Sequence, residues 1–355
     1  HIFISLMVRV IHFSLIVLRK FRGHQVIHSM ILRAPHMHGE RVSASVHDSE
    51  WQESFFVLDI MVTFNKILSQ AFKEHWATGH FNFSELDQAR AIVETCAELR
   101  CPAILGTSEG ERAHVGLTQA VAIRDAFRKD FDIPIFLNAD HTKSVSAAKM
   151  TIDAGYDSIH IDLSALPFED NVKGTREVVE YAHSKLITNN LPLINFSIEG
   201  ELGYLRGESK IQKEKIEVQP EDYTQSDKAR EFVEKTGVHR LAIAVGNIHG
   251  ISLDEPNLDI ERIRAIRAGI PEDVALVLHA GSGIPDAQIK AAIEAGIANI
   301  HINTDLRVAY TASLRKSFQE HPDEVVMYKL DQPAIDALKA VLKEKLSLFN
   351  SVNKI

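Results

Sequence analysis

The sequence has little cysteine and no excess of positive charge. Its two cysteines, Cys96 and Cys101, do not form a metal-binding C-x-x-C pair, and we expect the protein to reside in a reducing cytoplasm. The formal net charge of −9 argues against nucleic acid as a main partner, although it leaves room for a local basic pocket that binds a phosphorylated metabolite. With 45% hydrophobic and 25% charged residues, the composition is that of an ordinary globular protein.

The chain also lacks a long uninterrupted apolar run, and no membrane partner is expected. Its most apolar stretch, residues 2–18, is short for a membrane span and is interrupted by Arg9 and a histidine. Residues 1–60 hold seven of the 18 histidines and show no regular strand–helix alternation. We interpret residues 1–60 as an atypical extension that comes from sequence upstream of the true start, Met61, and residues 61–355 as one domain. A membrane anchor or targeting peptide and an ordinary, poorly ordered extension are the alternatives.

From residue 77 onward, short apolar runs alternate with longer helical patterns. Apolar runs of this length, bounded by Gly or Pro, are typical of buried parallel strands. Eight strand-and-helix units predict a TIM (β/α)8 barrel. The alternative, a doubly wound open sheet, usually has fewer strands and a ligand site at one switch point. The predicted strands are Ala77–Phe83, Pro102–Ser108, Pro134–His141, Ser158–Leu163, Asn195–Leu202, Arg240–Gly246, Ala275–His279 and Asn299–Asn303.

Polar residues follow nearly every predicted strand, which favours the barrel because its eight loops converge at one mouth. These residues are Asn82, Ser108, Asp140, Asp162, Glu201, Asn247, Asn303 and Asp305. The intervening helical patterns have one apolar face each. They cover Leu86–Leu99, Glu177–Leu186, Ser226–Thr236, Asp259–Ala268, Asp286–Ala295, Arg307–Ser317 and Ala334–Phe349, the last of which would pack on the barrel or on a partner.

Three histidines each stand at the end of an apolar run. They are His141 in L-N-A-D-H-T, His249 in V-G-N-I-H-G and His279 in L-V-L-H-A-G-S-G. A single histidine after a strand is more often a hydrogen-bonded structural residue. Three of them match the ligand set of a catalytic Zn²⁺ with one open coordination position, where the metal would polarise a substrate oxygen. Imidazole ligands also accept other divalent metals.

Acidic residues stand beside these candidate ligands. Asp140 precedes His141 and is well placed as a general acid or base, although capping a helix over residues 142–154 is an alternative role. Glu199 and Glu201 in F-S-I-E-G-E-L-G share a face by the alternation of a strand, so both can point into the barrel. Buried carboxylates need partners. We expect either a metal with its histidine ligands or a structural ion pair with a barrel lysine or arginine.

Glycine-rich loops after the late strands indicate a phosphate site. Gly281 to Gly283 precede a helix that begins near Pro285, so their backbone N–H groups can bind an anion. In barrels, the loops after strands seven and eight usually hold phosphate. The second loop of that kind here is Asn303-Thr304-Asp305.

Together these motifs resemble class II, metal-dependent fructose-bisphosphate aldolases and related ketose-bisphosphate aldolases. The resemblance covers roughly residues 61–348, and residues 1–60 have no counterpart in that family. It implies reversible cleavage of a ketose 1,6-bisphosphate, by default fructose 1,6-bisphosphate, to dihydroxyacetone phosphate and an aldehyde phosphate. The motifs are A-D-H-T at 139–142, E-G-E-L-G at 199–203, G-N-I-H-G at 246–250, H-A-G-S-G-I at 279–284 and I-N-T-D at 302–305.

The resemblance also implies roles for single residues. His141, His249 and His279 would hold the zinc, with Glu201 as a near or alternate ligand. Asp140 would exchange a proton with the C4 oxygen of the aldehyde half. A monovalent cation near the phosphate and a homodimer are further family expectations. The phosphate of the dihydroxyacetone half and the pocket around it would involve Asn82, Ser108, Gly250, Gly281, Ser282, Asn303 and Thr304.

Two positions depart from the family pattern. In the loop after strand five, which reads Y-L-R-G-E-S-K-I, Ser209 stands where the family has the glutamate that handles the C3 proton. Glu208 is our candidate for that role after a one-residue shift, and Glu214 is the alternative. Without such a base the rate would fall by about 10² to 10⁴. On strand eight, His301 replaces an asparagine that touches the substrate, and it would favour a different substrate or a second anionic group. The interpretation that we favour is a subfamily that runs the same reaction with altered loop chemistry.

Two other functions stay open beside the aldolase reading. One is a metal-dependent sugar-phosphate isomerase or epimerase, which would leave the C–C bond intact. The other is a barrel that binds metal and sugar phosphate without turnover, as Ser209 would allow. Release of triose phosphate distinguishes the aldolase from both, whereas sequence reasoning does not separate fructose bisphosphate from tagatose bisphosphate.

Overall fold

The structure is a computed structural model that describes residues 63–188, 196–254 and 256–355. The expected extension over residues 1–60 lies outside the described residues, so the domain boundary stays a prediction. Among the helices of these described ranges, none combines the length and the apolar composition that a membrane span needs.

Parallel strands form the centre of the fold. The described strands are β1 (Thr78–Asn82), β2 (Ala103–Thr107), β3 (Ile135–Thr142), β4 (Ser158–Ile161), β5 (Ser197–Leu202), β6 (Gly207–Ile211), β7 (Arg240–Ile243), β8 (His249–Ile251), β9 (Ala275–Leu278) and β10 (Ile297–Ile302). Eight of them close into a barrel in the order β1, β10, β9, β7, β5, β4, β3 and β2. The predicted TIM barrel is therefore confirmed, and each predicted strand overlaps one barrel strand.

Helices follow the strands. The described helices are α1 (Phe64–Lys73), α2 (Leu86–Glu98), α3 (Glu109–Val115), α4 (Leu117–Asp130), α5 (Val145–Ala154), α6 (Phe168–Thr188), α7 (Ser226–Thr236), α8 (Ile260–Gly269), α9 (Asp286–Glu294), α10 (Thr304–Glu320), α11 (Met327–Leu330) and α12 (Gln332–Leu348). The predicted start of α6 at Glu177 is wrong by more than two turns. Its first turns bury polar side chains, Asn171 and Thr175, so the apolar periodicity begins only later in the helix.

Helix α1 closes the amino-terminal end of the barrel. Phe64, Leu68 and the following Trp76 pack against residues near the starts of barrel strands, including Phe136 and Ala275. Because this end is filled by apolar side chains, the opposite end is where polar side chains can meet a ligand. The polar residues that follow the strands lie at that carboxyl end, as a TIM barrel requires.

A two-stranded parallel sheet of β6 and β8 stands outside the barrel order, with Gly207 paired to His249. The Gln212 side-chain amide donates to the backbone carbonyls of Glu208 and His249, at 2.7 Å each. Gly250 allows this close approach, since its φ is +91° and an added Cβ would stand 2.1 Å from the carbonyl oxygen of Lys210. The pair of strands ties the loop after β5 to the segment that carries His249.

Candidate active site

Two histidine side chains converge at the carboxyl end of the barrel. His141 Nε2 lies 3.2 Å from His279 Nδ1. His141 has a left-handed backbone with φ of +41°, and the β3–β4 register shifts between Ala139 and Thr142. This irregularity allows Asp140 and His141, which would point to opposite faces of a regular strand, to reach the same pocket.

The second nitrogen of each ring contacts a carboxylate. His141 Nδ1 lies 2.9 Å from Asp162 Oδ2, and His279 Nε2 lies 2.6 Å from Glu199 Oε1. A histidine that donates its N–H to a carboxylate leaves the lone pair of its other nitrogen free for a cation. The two free lone pairs then face each other, which is unfavourable unless a proton or a metal ion lies between them.

The separation of these nitrogens suits a divalent metal. Two nitrogens bound tetrahedrally to Zn²⁺ at about 2.0 Å stand about 3.3 Å apart, close to the observed distance. Burial lowers the pKa of His141, but the charge of Asp140 and the hydrogen bond to Asp162 outweigh it and raise the pKa above its ordinary value. Burial holds the pKa of His279 well below its usual range. The carboxylates thus favour one positive charge between the two rings.

The other two predicted metal ligands, His249 and Glu201, lie farther from the point between His141 and His279. The His249 ring centroid is 4.9 Å from that of His141, and burial lowers the pKa of His249 to about 3, so its imidazole is neutral. Within the described residues, the groups of potential ligand atoms within 4.8 Å of one another do not include His249. Glu201 Oε2 lies 4.0 Å from His141 Nδ1, on the side away from His279 Nδ1. His141 and His279 therefore form the centre of the donor set.

Sequence reasoning missed His160 in β4, which is fully buried among the acidic groups. Its Nδ1 accepts the backbone N–H of His141 at 3.2 Å, and its Nε2 lies 3.1 Å from Glu201 Oε2. His160 and Asp162 lie two residues apart at the end of β4, and both contact His141. The motif S-I-H-I-D carried that signal, since a histidine and an aspartate two residues apart both stood near a strand end.

Asp140 is buried in a tight set of polar contacts. Asn82 Nδ2 donates to Asp140 Oδ2 at 3.0 Å, and His301 Nδ1 lies 3.2 Å from Asp140 Oδ1. Burial raises the pKa of Asp140, but the imidazoles around it outweigh burial and hold the pKa well below its usual range. The alternative role as a helix cap is wrong, because Ser144 caps α5. The aspartate is thus an ionised carboxylate at the pocket.

Glu199 makes both kinds of contact that the sequence left open, a structural ion pair and a contact with a candidate metal-binding histidine. Its Oε2 lies 2.6 Å from Arg240 Nη1, and both side chains are fully buried, so it is a structural ion pair. Its Oε1 contacts His279 at the same time. Glu201 contacts histidine rather than lysine or arginine, and Asn171 donates to its backbone carbonyl at 2.9 Å. Both carboxylates point into the barrel, as the alternation predicted.

A small inner cavity of about 30 Å³ joins most of the predicted site residues. Its loops include the candidate phosphate cradle. Ser282 Oγ accepts the backbone N–H of Asp305 at 3.1 Å, in the first turn of helix α10, which begins at Thr304. The cavity is lined by Asn82, Asp140, His141, Ser209, His249, Gly250, His279, Ala280, Ser282, His301, Asn303 and Thr304.

Gly281 packs behind this cradle rather than lining it. Its N–H donates to the carbonyl of His301 at 3.0 Å, and an added Cβ would stand 2.7 Å from the Ile300 side chain. The glycine therefore lets the β9 loop lie against β10. This contact places Ser282 and the start of α10 side by side.

A wider cleft of about 500 Å³ continues from the histidines toward solvent. Ser108 and Glu201 line it, and so does Glu208, whose side chain is 74% exposed and pairs with Lys210 at 2.7 Å. Ser209 lines both the cleft and the inner cavity. The loop after β5 thus brings Ser209 closer to the inner cavity than Glu208.

Glu111 was not predicted and organises the rim of the pocket. Its carboxylate accepts hydrogen bonds from Asn82 Nδ2 at 2.8 Å and from the backbone N–H of Ser108 at 2.7 Å. Arg307 Nη2 donates to the same carboxylate at 2.5 Å. Glu111 therefore orients Asn82, which holds Asp140. A glutamate inside a short helix has no distinguishing signal in one sequence.

The chain and its fold match a known family. A family model described as class-II fructose-bisphosphate aldolase matches residues 62–354. The YdjI aldolase from Escherichia coli K12 is 28% identical, with a TM-score of 0.66 over 81% of this chain and 97% of that chain. A candidate fructose-1,6-bisphosphate aldolase from Coccidioides immitis is 24% identical, with a TM-score of 0.68 over 81% of this chain and 95% of that chain. The fructose-bisphosphate aldolase from Campylobacter jejuni is 19% identical, with a TM-score of 0.63 over 82% of this chain and 95% of that chain. The last two likenesses concern the fold.

Proposed function

Because the chain belongs to the class II fructose-bisphosphate aldolase family, we propose that it cleaves a ketose 1,6-bisphosphate in a reversible, metal-dependent aldol reaction. Fructose 1,6-bisphosphate is the default substrate, and dihydroxyacetone phosphate and an aldehyde phosphate are the products. The observation that carries this proposal is the pair of imidazole nitrogens 3.2 Å apart, with a carboxylate behind each ring. A divalent metal between the two nitrogens would satisfy both lone pairs, whereas in its absence a shared proton would do so.

The residues present fit a divalent metal, by default Zn²⁺. His141 and His279 would hold it, with His249 as the third ligand and Glu201 as a near or alternate one. A metal bound there supplies Lewis-acid polarisation of the ketose carbonyl. The neutral state of His249, with a pKa of about 3, supports its role because imidazole binds metal as the neutral form. A monovalent cation near the phosphate is part of the same proposal.

Asp140 would exchange the proton at the C4 oxygen. When the C3–C4 bond breaks, the C4 hydroxyl becomes an aldehyde and its proton passes to the Asp140 carboxylate, while the electron pair stays with C3. The ionised state of Asp140 supports this role, since a base must be unprotonated to accept. Asn82 and His301, which contact the two carboxylate oxygens, would hold Asp140 in place.

Glu208 would return a proton to C3 of the dihydroxyacetone half. Its side chain points to solvent and pairs with Lys210, so the loop after β5 has to carry it inward when substrate binds. The same observation favours the second candidate function, a barrel that binds metal and sugar phosphate without turnover.

The phosphate of the dihydroxyacetone half would occupy the cradle of the β8, β9 and β10 loops. Backbone N–H groups at the start of α10 and in the glycine-rich β9 loop would bind its oxygens. Ser108 would line the outer part of the pocket and His301 its floor. The residues proposed for the cradle are Gly250, Ser282, Asn303 and Thr304, and Gly281, whose N–H is taken by the His301 carbonyl, would support the cradle from behind.

Our expectations for assembly and location come from the family and from the thiols. We expect a homodimer, as is usual in the family, and a cytoplasmic enzyme. Both cysteines are free and buried, which supports a reducing compartment.

Triose phosphate release from fructose 1,6-bisphosphate by the full chain tests the function. A coupled assay is run on zinc-loaded protein, on protein treated with chelator, and on that protein after Zn²⁺ is restored. Cleavage that chelator abolishes and Zn²⁺ restores supports the aldolase. A changed sugar phosphate with no triose phosphate supports the isomerase or epimerase instead. Substrate binding that leaves every bond intact supports the binding barrel.

A further inference from the structure

His80 and His301 form a stacked pair beneath the pocket. The two residues are register partners in the neighbouring strands β1 and β10, so their side chains share the inner face of the barrel. Their ring centroids are 3.6 Å apart and the rings are 12° from parallel. Imidazole lone pairs lie in the ring plane, so two stacked rings do not coordinate one metal ion together. The pair is therefore a packing arrangement rather than a second metal site.

His301 connects Asp140 to the barrel interior. Its Nδ1 lies 3.2 Å from Asp140 Oδ1, and its Nε2 lies 3.1 Å from Asn299 Oδ1. The Asn299 amide is itself fixed, because its Nδ2 donates to the Thr78 hydroxyl at 2.8 Å. Both ring nitrogens of His301 thus face an oxygen acceptor, and the His279 ring lies against His301 with centroids 3.9 Å apart and planes tilted by 39°. A parallel flat surface against the ring face is what fixes its plane.

His80 supplies that flat surface, and its own ring is held in one protonation state. Asn138 Oδ1 accepts hydrogen bonds from Ser158 and Arg240, so its Nδ2 is the group that faces His80 Nε2 at 3.1 Å. His80 Nε2 must then accept, and the ring is neutral with its proton on Nδ1. Within the described residues, that buried Nδ1 has no hydrogen-bond partner.

Space for the His80 ring exists because residue 106 is glycine. A Cβ added to Gly106 would stand 2.2 Å from Cε1 and 2.4 Å from Nε2 of His80. The φ of Gly106 is not in the left-handed region, so its backbone does not require glycine. The absence of a side chain at Gly106 leaves room for the His80 ring on the neighbouring strand.

We propose that His80 is a positioning residue for the proton exchange at Asp140. It stacks on His301 and fixes the plane of that ring, and His301 in turn holds the Asp140 carboxylate. The inference rests on the proposed function for its effect on turnover. Its effect on the orientation of His301 does not depend on that function.

The test compares His80→Ala, which removes the stacking surface, with His80→Phe, which keeps a flat ring and removes the nitrogens. Small misplacement of a reacting group costs up to about 10²-fold in rate, so we expect His80→Ala to lower kcat for cleavage roughly 10- to 100-fold with KM little changed. His80→Phe should restore kcat to within about threefold of wild type. Phe81→Leu is the matched control, because Phe81 is the next residue of the same strand and points away from the barrel interior.

A second readout separates positioning from general damage. Exchange of the hydroxymethyl proton of dihydroxyacetone phosphate with deuterium oxide, followed by NMR, needs the metal and the C3 base but not Asp140. We expect this exchange to be unchanged in all three variants. A parallel loss of exchange and cleavage in His80→Ala would mean that the metal site is disturbed, and it would overturn the proposal.

A third readout is independent of turnover. The ¹⁵N NMR signals of the His301 ring should be alike in wild type and His80→Phe and should shift or broaden in His80→Ala. Unchanged His301 signals in His80→Ala would overturn the proposal whether or not the protein cleaves a ketose bisphosphate. Equal loss of kcat in His80→Phe and His80→Ala would overturn it as well, since the nitrogens rather than the flat ring would then matter.

Discussion

Asp162 offers the sharpest test of the candidate metal centre, because it contacts His141 from the side away from the metal position. Its Oδ2 lies 2.9 Å from His141 Nδ1, and only 11% of its side chain is exposed. Ser164 donates from its hydroxyl to Asp162 Oδ1 at 2.7 Å and holds the carboxylate in place. Asp162 therefore sets which nitrogen of His141 carries the proton and which is left to bind metal.

The expected magnitude follows from the kind of hydrogen bond that is lost. Removal of a carboxylate that orients a metal-bound histidine typically weakens metal affinity by about 10- to 100-fold. Asp162→Asn keeps an oxygen acceptor but loses the charge, and charge-assisted hydrogen bonds are about twice as strong as neutral ones. We expect about a 10-fold loss of Zn²⁺ affinity for Asp162→Asn and about 100-fold for Asp162→Ala, which removes the acceptor.

The assay is competition for Zn²⁺ with a chromophoric chelator at fixed pH, which measures affinity without any substrate. Asp153→Asn is the control, since Asp153 is an exposed aspartate that pairs with Lys185 at 2.8 Å on a helix outside the pocket. Its affinity for zinc should equal that of the wild type. Wild-type affinity in Asp162→Ala would refute the reasoning, because the orientation of His141 would then not depend on the carboxylate.

Three further predictions concern the surroundings of the site. Glu199→Gln should lower the free energy of unfolding in urea by roughly 3–5 kcal/mol, because Arg240 is fully buried and loses its charged partner. A loss of unfolding free energy as small as that caused by breaking an exposed ion pair would contradict this. Gly250→Ala should raise KM for the phosphorylated substrate several-fold in steady-state assays, since an added Cβ would stand 2.1 Å from the Lys210 carbonyl and separate β6 from β8; an unchanged KM would show that the two strands do not shape the site. Burial lowers the pKa of His239 to about 4, so as pH falls from 7 to 5 the unfolded chain gains a proton that the folded chain does not, and stability should drop by about 2 kcal/mol. Urea midpoints at the two pH values should differ less in His239→Gln, and equal differences would reject the assignment.

The barrel and the convergence of its strand ends could be predicted because each strand carries a local signal. Apolar runs such as Pro134–His141 repeat eight times, so parallel strands could be predicted from spacing, and the polar residues that follow nearly every strand favoured a closed barrel over an open sheet. The predicted pocket residues follow from the same logic, since carboxyl ends of parallel strands must meet. The predicted inward direction of Glu199 and Glu201 rested on alternation within one strand and is also confirmed.

The contacts between strands could not be predicted, because they depend on register. Glu199 pairs with Arg240 across β5 and β7. Nothing in the spacing of 41 residues between these two positions indicates that they are register partners. The pairing of β6 with β8 is equally invisible, since both strands are short and neither has an apolar run. The start of α6 was mispredicted because its buried face is partly polar. An apolar pattern in the sequence does not reveal a helix face of that kind.

Glu199 shows why the candidate metal position and Asp140, the proposed proton-exchange residue, are parts of one network. One of its carboxylate oxygens contacts His279 at 2.6 Å, and the other contacts Arg240 at 2.6 Å and approaches His301 Nε2 to 3.9 Å. A buried ion pair contributes little net stability, because the cost of removing two charges from water offsets their attraction. The role of this ion pair is to orient side chains. Arg240 holds the Glu199 carboxylate, and that carboxylate sets which nitrogen of His279 carries the proton. Because His301 lies against the same carboxylate and against Asp140, a change at Glu199 should disturb metal affinity and C4 proton exchange together. A change at Asp162, which approaches from the other side of His141, should disturb metal affinity first.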